Sequence, residues 1–267
     1  GGGQQVVCAE AVWCDILAQL GGPAVTTQAI IVSPKIDPHD VMTSPGMARE
    51  IADADLLVVN GAGYDVWASR LAKASRGDGR ETLDVGHLAG RSQESNPHLS
   101  DDLDIVEIYA RHMTAALVAR RPDLRAELGQ RAEAFGGAIA GLRQRIASVK
   151  PGTMGKRIVA TEPVGSALFA ALGMEVMCPR LALAVMHHSD PAPRDLAFVE
   201  RALETRQAAV LVLNPAVTSP ALSDLVAMAR AHDVPVVPMS EMPTPGQHWQ
   251  DWYEGRISAL VAAVSTP

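Results

Sequence analysis

The sequence of 267 residues lacks the features that mark several classes of protein. It has no apolar run long enough to span a bilayer, no heptad repeat and no low-complexity tract. Lysine and arginine number 23 against 30 aspartate and glutamate residues, which gives a net charge of −7. A sequence-wide attraction to nucleic acid or to anionic lipid is therefore not expected. Hydrophobic residues make up 48% and charged residues 20%, which is typical of a folded globular chain of one large domain or two lobes.

Cysteine is also scarce, with Cys8, Cys14 and Cys178 as its three occurrences. An odd number leaves at least one cysteine outside any pairing within the chain. We expect these side chains to be buried as small hydrophobic groups, although a Cys8–Cys14 bridge is an open alternative.

The first part of the chain alternates between strand-like and helix-like patterns. Ser44 is predicted to cap a helix, with Pro45 at its first position. Such alternation is typical of a parallel sheet with helices on its faces. The predicted strands are 4–12, 25–32, 56–63 and 81–86, and the predicted helices are 13–22, 44–54 and 65–75.

The middle of the chain is helical from Leu103 to Ala147, with a break at Arg121 and Pro122. The piece after the break covers about 28 residues, or about 40 Å, which is too long for an ordinary crossover helix. Strand and helix patterns then alternate again to the end. The sequence thus predicts an α/β fold in which two parallel-sheet lobes are joined by one long backbone helix. The predicted bounds are 4–117 for the N-terminal lobe, 118–149 for the linking helix and 150–267 for the C-terminal lobe.

Four polar residues follow predicted strands and lie beside a proline or one residue away from it. They are His39, His98, Glu162 and Glu241. In parallel sheets, ligands bind outside the carboxyl ends of the strands, so these side chains are expected to meet in the cleft between the lobes. Two imidazoles and two carboxylates suit Mn²⁺, Fe²⁺ or Zn²⁺, and the carboxylates would neutralise the ion. From spacing alone, structural loop histidines and helix-capping carboxylates are the alternative, because there is no HExxH motif and no Cys/His cluster.

Three motifs resemble those of cluster A-I solute-binding proteins, the metal receptors of zinc and manganese ABC importers. They are "DPHDVMTSP" with His39, "NGAGYDVW" with Asp65 in the acidic place, and "NPHLSDD" with His98. Ser100 stands in the last motif where the family usually has tryptophan. The resemblance covers nearly the whole chain, and the family has two α/β lobes joined by a long helix.

The resemblance also implies the ligands. In "TEPVGSALFAALGMEV", Glu162 takes the place of a third ligand that is usually histidine in zinc receptors and glutamate in manganese receptors. In "VPVVPMSEMPTPGQHWQDWY", Glu241 takes the place of a fourth ligand that is commonly aspartate, with Asp102 or His248 as alternatives. The histidine-rich loop of some zinc receptors is absent, which favours Mn²⁺ over Zn²⁺.

The implied function is that of an extracytoplasmic receptor that delivers the metal to an ABC permease. We expect a monomer, located in the periplasm or outside the cytoplasm, which associates with the membrane through the transporter or a lipid anchor. The alternative is a metal-dependent hydrolase that uses the same cleft, but this would need an open coordination position and a general base. No GxSxG motif is present, so we do not expect an enzyme. His187 and His188 are expected at the surface, whereas Asn60 and Asn214 could brace the site through hydrogen bonds.

Overall fold

A computed structural model describes residues 3–75, 79–92 and 96–265 of the chain. The chain divides into two compact units, which we call the N-terminal unit and the C-terminal unit. The N-terminal unit is Gly1–Gly141 with Met242–Trp252, and the C-terminal unit is Leu142–Glu241 with Tyr253–Pro267. The lobes predicted from the sequence are continuous stretches of the chain, whereas each of these units combines two stretches. The predicted bounds of the lobes and of the linking helix therefore stay a prediction.

The N-terminal unit contains a sheet of four parallel strands in the order β2-β1-β3-β4. All four side chains of β3 are buried, as expected for a strand that is covered on both faces. The strands are β1 Gln4–Glu10, β2 Val25–Ile31, β3 Leu56–Val59 and β4 Glu81–Asp84. The helices between them are α1 Ala11–Gly21, α2 Pro45–Ala52, α3 Val66–Ala74 and α4 Val85–Leu88.

The predicted start of α2 is confirmed in the structure. The Ser44 hydroxyl accepts a hydrogen bond from the Met47 N–H, and Pro45 is the first helical residue. One face of the sheet packs on a cluster that includes Val7, Leu57 and Ile51. This packing fixes α2 against the sheet, and with it the C-terminal end of the loop that carries His39.

Two helices follow the first sheet, α5 Leu103–Arg120 and α6 Arg125–Thr153. The predicted break falls between them, because Pro122 has no N–H to continue the α5 ladder. Helix α6 has 29 residues, so it is about 43 Å long, and the boundary between the two units falls within it. The long backbone helix expected from the sequence is thus confirmed.

The C-terminal unit repeats the strand order of the first, with parallel strands in the order β6-β5-β7-β8. Its strands are β5 Arg157–Ala160, β6 Glu175–Val176, β7 Val210–Leu213 and β8 Val236–Pro238. Its helices are α7 Ser166–Ala171, α8 Pro179–Met186, α9 Pro193–Glu204 and α10 Pro220–Ala231, and α11 Trp249–Val264 ends the described chain. Helix α8, which is short and separated from the end of β6 by two residues, was not predicted from the sequence.

The cysteine expectation is confirmed only in part, because Cys8 and Cys14 are buried but are bonded to each other rather than present as thiols. Cys8 and Cys14 form a disulfide, while Cys178 is a free, half-buried thiol. Because β1 turns directly into α1, the Cα atoms of Cys8 and Cys14 come within 5.7 Å of each other, a separation typical of a disulfide. The open alternative is therefore the one that the structure shows.

Among the helices of the described residues, none is both long enough and apolar enough to cross a bilayer.

Candidate metal centre

The loop that carries His39 is held by hydrogen bonds of the residues before and after this histidine. The Asp37 carboxylate accepts from the His39 backbone N–H at 2.9 Å, and the Asp40 N–H donates to the Asp37 carbonyl at 3.1 Å. The Trp67 indole N–H donates to the Pro38 carbonyl at 3.3 Å and so fastens the loop to α3. The stiff loop predicted from its prolines is therefore also braced by tertiary contacts.

His98 is buried, and its ring is oriented by Asn96. The Asn96 side-chain oxygen accepts from the His98 backbone N–H at 3.2 Å and lies 2.6 Å from the His98 Nδ1. Since this oxygen is an acceptor, Nδ1 carries the hydrogen, and Nε2 is the nitrogen able to bind a metal. The Asn60 amide donates to the Pro97 carbonyl at 2.8 Å, as expected of a bracing residue. Sequence reasoning missed Asn96, although it begins the "NPH" motif.

The structure brings His39 and His98 together in the N-terminal unit. Their ring centroids are 5.5 Å apart, and a ring nitrogen of each lies within 4.8 Å of the other. The edge-to-face ring of Tyr64 contacts both, with centroids at 4.8 Å from His39 and 5.5 Å from His98. Tyr64 was also missed, although it lies inside the motif "NGAGYDVW". It restricts the orientation of both imidazoles.

The turn after β3 that carries Tyr64 is organised around a buried carboxyl group. Asp65 accepts from the N–H groups of Asn60 at 2.7 Å and Gly61 at 3.0 Å. Gly61 has φ +75°, a conformation that strains residues with a side chain. Burial raises the pKa of Asp65, opposed by a hydrogen bond with the Glu10 side chain and by the two N–H groups.

In the C-terminal unit, one asparagine joins the two predicted carboxylate ligands. Glu162 follows β5, Asn214 follows β7 and Glu241 follows β8, and all three are buried. The Asn214 Nδ2 donates to Glu162 Oε2 at 2.6 Å and to Glu241 Oε1 at 2.9 Å. The Ala216 N–H donates to Asn214 Oδ1 at 3.0 Å, which fixes the orientation of the amide. Asn214 therefore braces the site on the carboxylate side.

The two units present the same residue types at the same strand ends. The segments that begin in the first strand of each unit read "VVCAE" and "IVATE" and finish at Glu10 and Glu162. Those that begin in the third strand read "LLVVN" and "VLVLN" and finish at Asn60 and Asn214, just after the strand. This internal repeat is the signal that could have drawn attention to Glu10. In the N-terminal unit the glutamate bonds Asp65, whereas in the C-terminal unit it bonds the asparagine.

The two alternatives for the fourth ligand have structural contacts of their own. The Asp102 carboxylate caps α5 by accepting from the N–H groups of Asp104 and Ile105. His248 Nδ1 lies 2.8 Å from the Asp15 carboxylate, and this hydrogen bond is the main cause that raises the pKa of His248. Glu241 therefore stays the candidate.

Two further expectations concern residues near these motifs. His187 and His188 are exposed beyond the end of α8, as predicted. Ser100, which stands where the family motif has tryptophan, is packed by another tryptophan. The buried Trp249 donates its indole N–H to the Ser100 carbonyl at 2.9 Å.

Comparison with known proteins gives consistent findings. Residues 6–263 match the family model described as zinc-uptake complex component A, periplasmic (ZnuA). The metal ABC transporter substrate-binding lipoprotein SsaB of Streptococcus sanguinis is 26% identical over 144 residues, which cover 49% of this chain and 46% of that protein. The alignment thus spans less than half the length of that relative.

Solved structures with the same architecture cover almost the whole chain. The periplasmic zinc binding protein TroA from Treponema pallidum has a TM-score of 0.79 at 18% identity, covering 98% of this chain and 99% of that one. The solute-binding protein FpvC from Pseudomonas aeruginosa, solved in complex with Mn²⁺, has a TM-score of 0.78 at 16% identity, covering 98% of both chains. At this identity the likeness shows the fold, and it confirms the predicted class of two α/β lobes with a long helix.

Proposed function

Because the chain belongs to the ZnuA family of periplasmic zinc-uptake components, we propose that it captures a divalent transition-metal ion outside the cytoplasm and delivers it to an ABC permease. Mn²⁺ is the favoured cargo and Zn²⁺ the next. The ion is carried rather than used in a reaction, and the protein is not an enzyme.

The proposed ligands are His39, His98, Glu162 and Glu241, acting on one ion. The observation that carries this proposal is their grouping in pairs, with two adjacent imidazoles in one unit and two buried carboxylates on one amide in the other. Each pair lies beyond the carboxyl ends of a parallel sheet, where ligands of such sheets bind. A divalent ion would neutralise two glutamates that are otherwise expensive to bury as anions.

The histidine side of the proposed site is ordered before metal arrives. The hydrogen bond with Asn96 leaves His98 Nε2 as the acceptor nitrogen, and Tyr64 contacts both rings. Little side-chain entropy would therefore be lost when an ion binds, because the imidazoles are already restrained.

The preference for Mn²⁺ rests on Glu162, which stands where zinc receptors of the resembling family usually have histidine. Carboxylate oxygen is a harder ligand than imidazole nitrogen and suits Mn²⁺. The likeness to FpvC, solved with Mn²⁺, agrees with this choice, whereas the likeness to the zinc binding protein TroA agrees with zinc as the next candidate. The isolated protein in vitro can still bind Zn²⁺ more tightly than Mn²⁺, because intrinsic affinities follow the Irving–Williams order.

The proposed location outside the cytoplasm is supported by the Cys8–Cys14 disulfide. Such bonds form and persist in oxidising compartments such as the bacterial periplasm. We further propose a monomer that is held at the membrane by the transporter or by a lipid anchor.

Metal analysis of protein purified without chelator, followed by competition titration with Mn²⁺ and Zn²⁺, tests the proposal. His98→Ala and Glu241→Ala should each weaken binding by more than about tenfold, or about 1.4 kcal/mol. His188→Ala, at an exposed position, is the matched control and should bind like the wild type. A wild type that binds neither metal would refute the receptor, and turnover of phosphate or carboxylate esters would favour the hydrolase.

A further inference from the structure

We propose that Asn214 restricts Glu162 and Glu241 to one metal-facing oxygen each, and so sets the coordination number of the bound ion. This inference rests on the proposed function, since it concerns how the same site holds its cargo. Asn214 would be a positioning residue that tunes metal choice without touching the metal.

The amide group of Asn214 uses both of its hydrogens on the two candidate ligands. Its Nδ2 lies 2.6 Å from Glu162 Oε2 and 2.9 Å from Glu241 Oε1. An amide nitrogen has two N–H donors, one for each carboxylate. Each engaged oxygen uses one of its lone pairs on Asn214, and we infer that the opposite oxygen of each carboxylate, which does not bond this amide, is the one that binds an ion.

The side-chain amide of Asn214 cannot easily rotate away from the two carboxylates. The Ala216 N–H donates to Asn214 Oδ1 at 3.0 Å, which would lose its acceptor if the amide flipped. Asn214 is 2% exposed and Glu162 3% exposed, so bulk water does not replace these bonds. Hydrogen bonds to ionised acceptors are among the stronger ones in proteins, and they should persist when an ion binds.

With one oxygen from each glutamate and one nitrogen from each histidine, the protein supplies four atoms. Four ligands complete the tetrahedral geometry that Zn²⁺ prefers, whereas oxygen-rich sites for Mn²⁺ are commonly six-coordinate. Asn214 therefore lowers the affinity for Mn²⁺ more than that for Zn²⁺. A receptor must release its cargo, and a reduced Mn²⁺ affinity serves that release.

Two variants remove the donors in different ways. Asn214→Leu has similar volume, cannot donate, and keeps water out of the position that Nδ2 occupied. Asn214→Ala leaves space for a water molecule, which can donate to both carboxylates and so replace in part the hydrogen bonds of the Asn214 amide. Leucine should therefore have the larger effect on metal binding, whereas a purely structural role would make alanine, which leaves a cavity, the more disruptive change.

Co²⁺ is the spectroscopic probe of coordination number, because four-coordinate Co²⁺ absorbs visible light much more strongly than six-coordinate Co²⁺. The wild type loaded with Co²⁺ should show the intense bands, and Asn214→Leu should lose most of that intensity. In competition titrations, Asn214→Leu should raise the Mn²⁺-over-Zn²⁺ affinity ratio by about tenfold, or about 1.4 kcal/mol.

Weak Co²⁺ bands in the wild type would overturn the inference, since the bound ion would then have more than four ligands. An unchanged ratio and spectrum in a folded Asn214→Leu protein would overturn it as well. Asn60→Ala is the comparison variant, because Asn60 holds the matching position in the N-terminal unit but donates to carbonyl groups. It should weaken both metals alike and leave the ratio unchanged. A wild type that binds no Mn²⁺, Zn²⁺ or Co²⁺ refutes the proposed function itself, which separates the two failures.

Discussion

At the scale of single residues, buried polar side chains carry the chemistry of this protein. Glu162 and Glu241 are 3% and 6% exposed, and the amide of Asn214 contacts both. Charged groups are seldom buried in this way without a compensating partner, and a receptor obtains that partner when it binds a cation. His98 is buried as well, with its ring oriented by Asn96.

Glu162→His should raise the Zn²⁺-over-Mn²⁺ affinity ratio, chiefly by weakening Mn²⁺. The change replaces a hard oxygen ligand with an imidazole that suits zinc, and it removes one of the two charges that neutralise the ion. A tenfold shift in the ratio corresponds to about 1.4 kcal/mol. Competition constants measured in one buffer at one pH check this. If both affinities fall by the same factor, Glu162 contributes charge but no selectivity, and if neither changes, it is not a ligand.

At the scale of elements, two connections hold α1 in place. The Cys8–Cys14 disulfide ties α1 to β1, and the Asp15 carboxylate on α1 binds the start of α11. Asp15 accepts from the Trp249 backbone N–H at 2.8 Å and contacts His248 Nδ1 at the same distance. The segment that follows Glu241 is thus fastened to the N-terminal unit.

Removing the disulfide should lower the free energy of unfolding by roughly 2–3 kcal/mol, because the bond closes a short loop in the unfolded chain. Chemical denaturation of Cys8→Ala/Cys14→Ala measures the effect, and Cys178→Ala, which removes the free thiol, is the control. The wild type under a reducing agent should behave like the double variant. Equal stability of all these proteins would contradict a stabilising role for the bond.

The contact between Asp15 and His248 should weaken as the pH rises. The hydrogen bond to Asp15 raises the pKa of His248, burial opposes this, and the charges of Asp15 and Asp251 add to the rise. A histidine whose pKa is raised on folding stabilises the protein fully below its ordinary pKa, near 6.5, and loses that stabilisation as the pH rises through the folded value. The contribution is therefore present at mildly acidic pH and lost above it.

A double-mutant cycle with Asp15→Asn and His248→Gln measures this coupling as a difference in unfolding free energy. The coupling should be favourable at pH 5.5 and should shrink towards zero in alkaline buffer. Asp15→Asn also changes the acceptor of the Trp249 N–H, but that bond does not titrate and cancels in the comparison across pH. A coupling that stays constant across the range would contradict the assignment.

At the scale of the whole molecule, two units with the same strand order each present half of the proposed donor set. Neither half has enough donors for a transition ion, which needs four or more ligands. Binding to all four residues would therefore stabilise the folded chain by mass action, because the unfolded chain does not hold them together.

Adding Mn²⁺ at about 100 times its dissociation constant should stabilise the protein by about 2.7 kcal/mol, and a chelator should reverse this. Thermal unfolding of metal-free and metal-loaded protein measures the shift. His39→Ala/His98→Ala should show little shift, whereas His187→Ala/His188→Ala, at exposed positions, should respond like the wild type. A full shift in the first double variant would place the metal elsewhere on the molecule.

The sequence by itself determined the alternation of strands and helices, the long helix after Pro122, and the family to which the motifs point. These depend on hydrophobic periodicity, proline and short motifs, which are local along the chain. His39, His98, Glu162 and Glu241 could be selected because each follows a strand and lies in such a motif. These local patterns do not show which side chains that are distant in the sequence come into contact.

Only the tertiary structure decided the contacts of Asn214 with Glu162 and Glu241, which are 52 and 27 residues away along the chain. It also decided that Cys8 and Cys14 form a bond rather than remain buried thiols, and that Tyr64 contacts both histidines. Helix α8 was missed for the same reason, since eight residues give too short a pattern to establish a period. The physical reason is that hydrogen bonds, ring contacts and disulfides depend on distances between side chains, and the packed sheets set these distances.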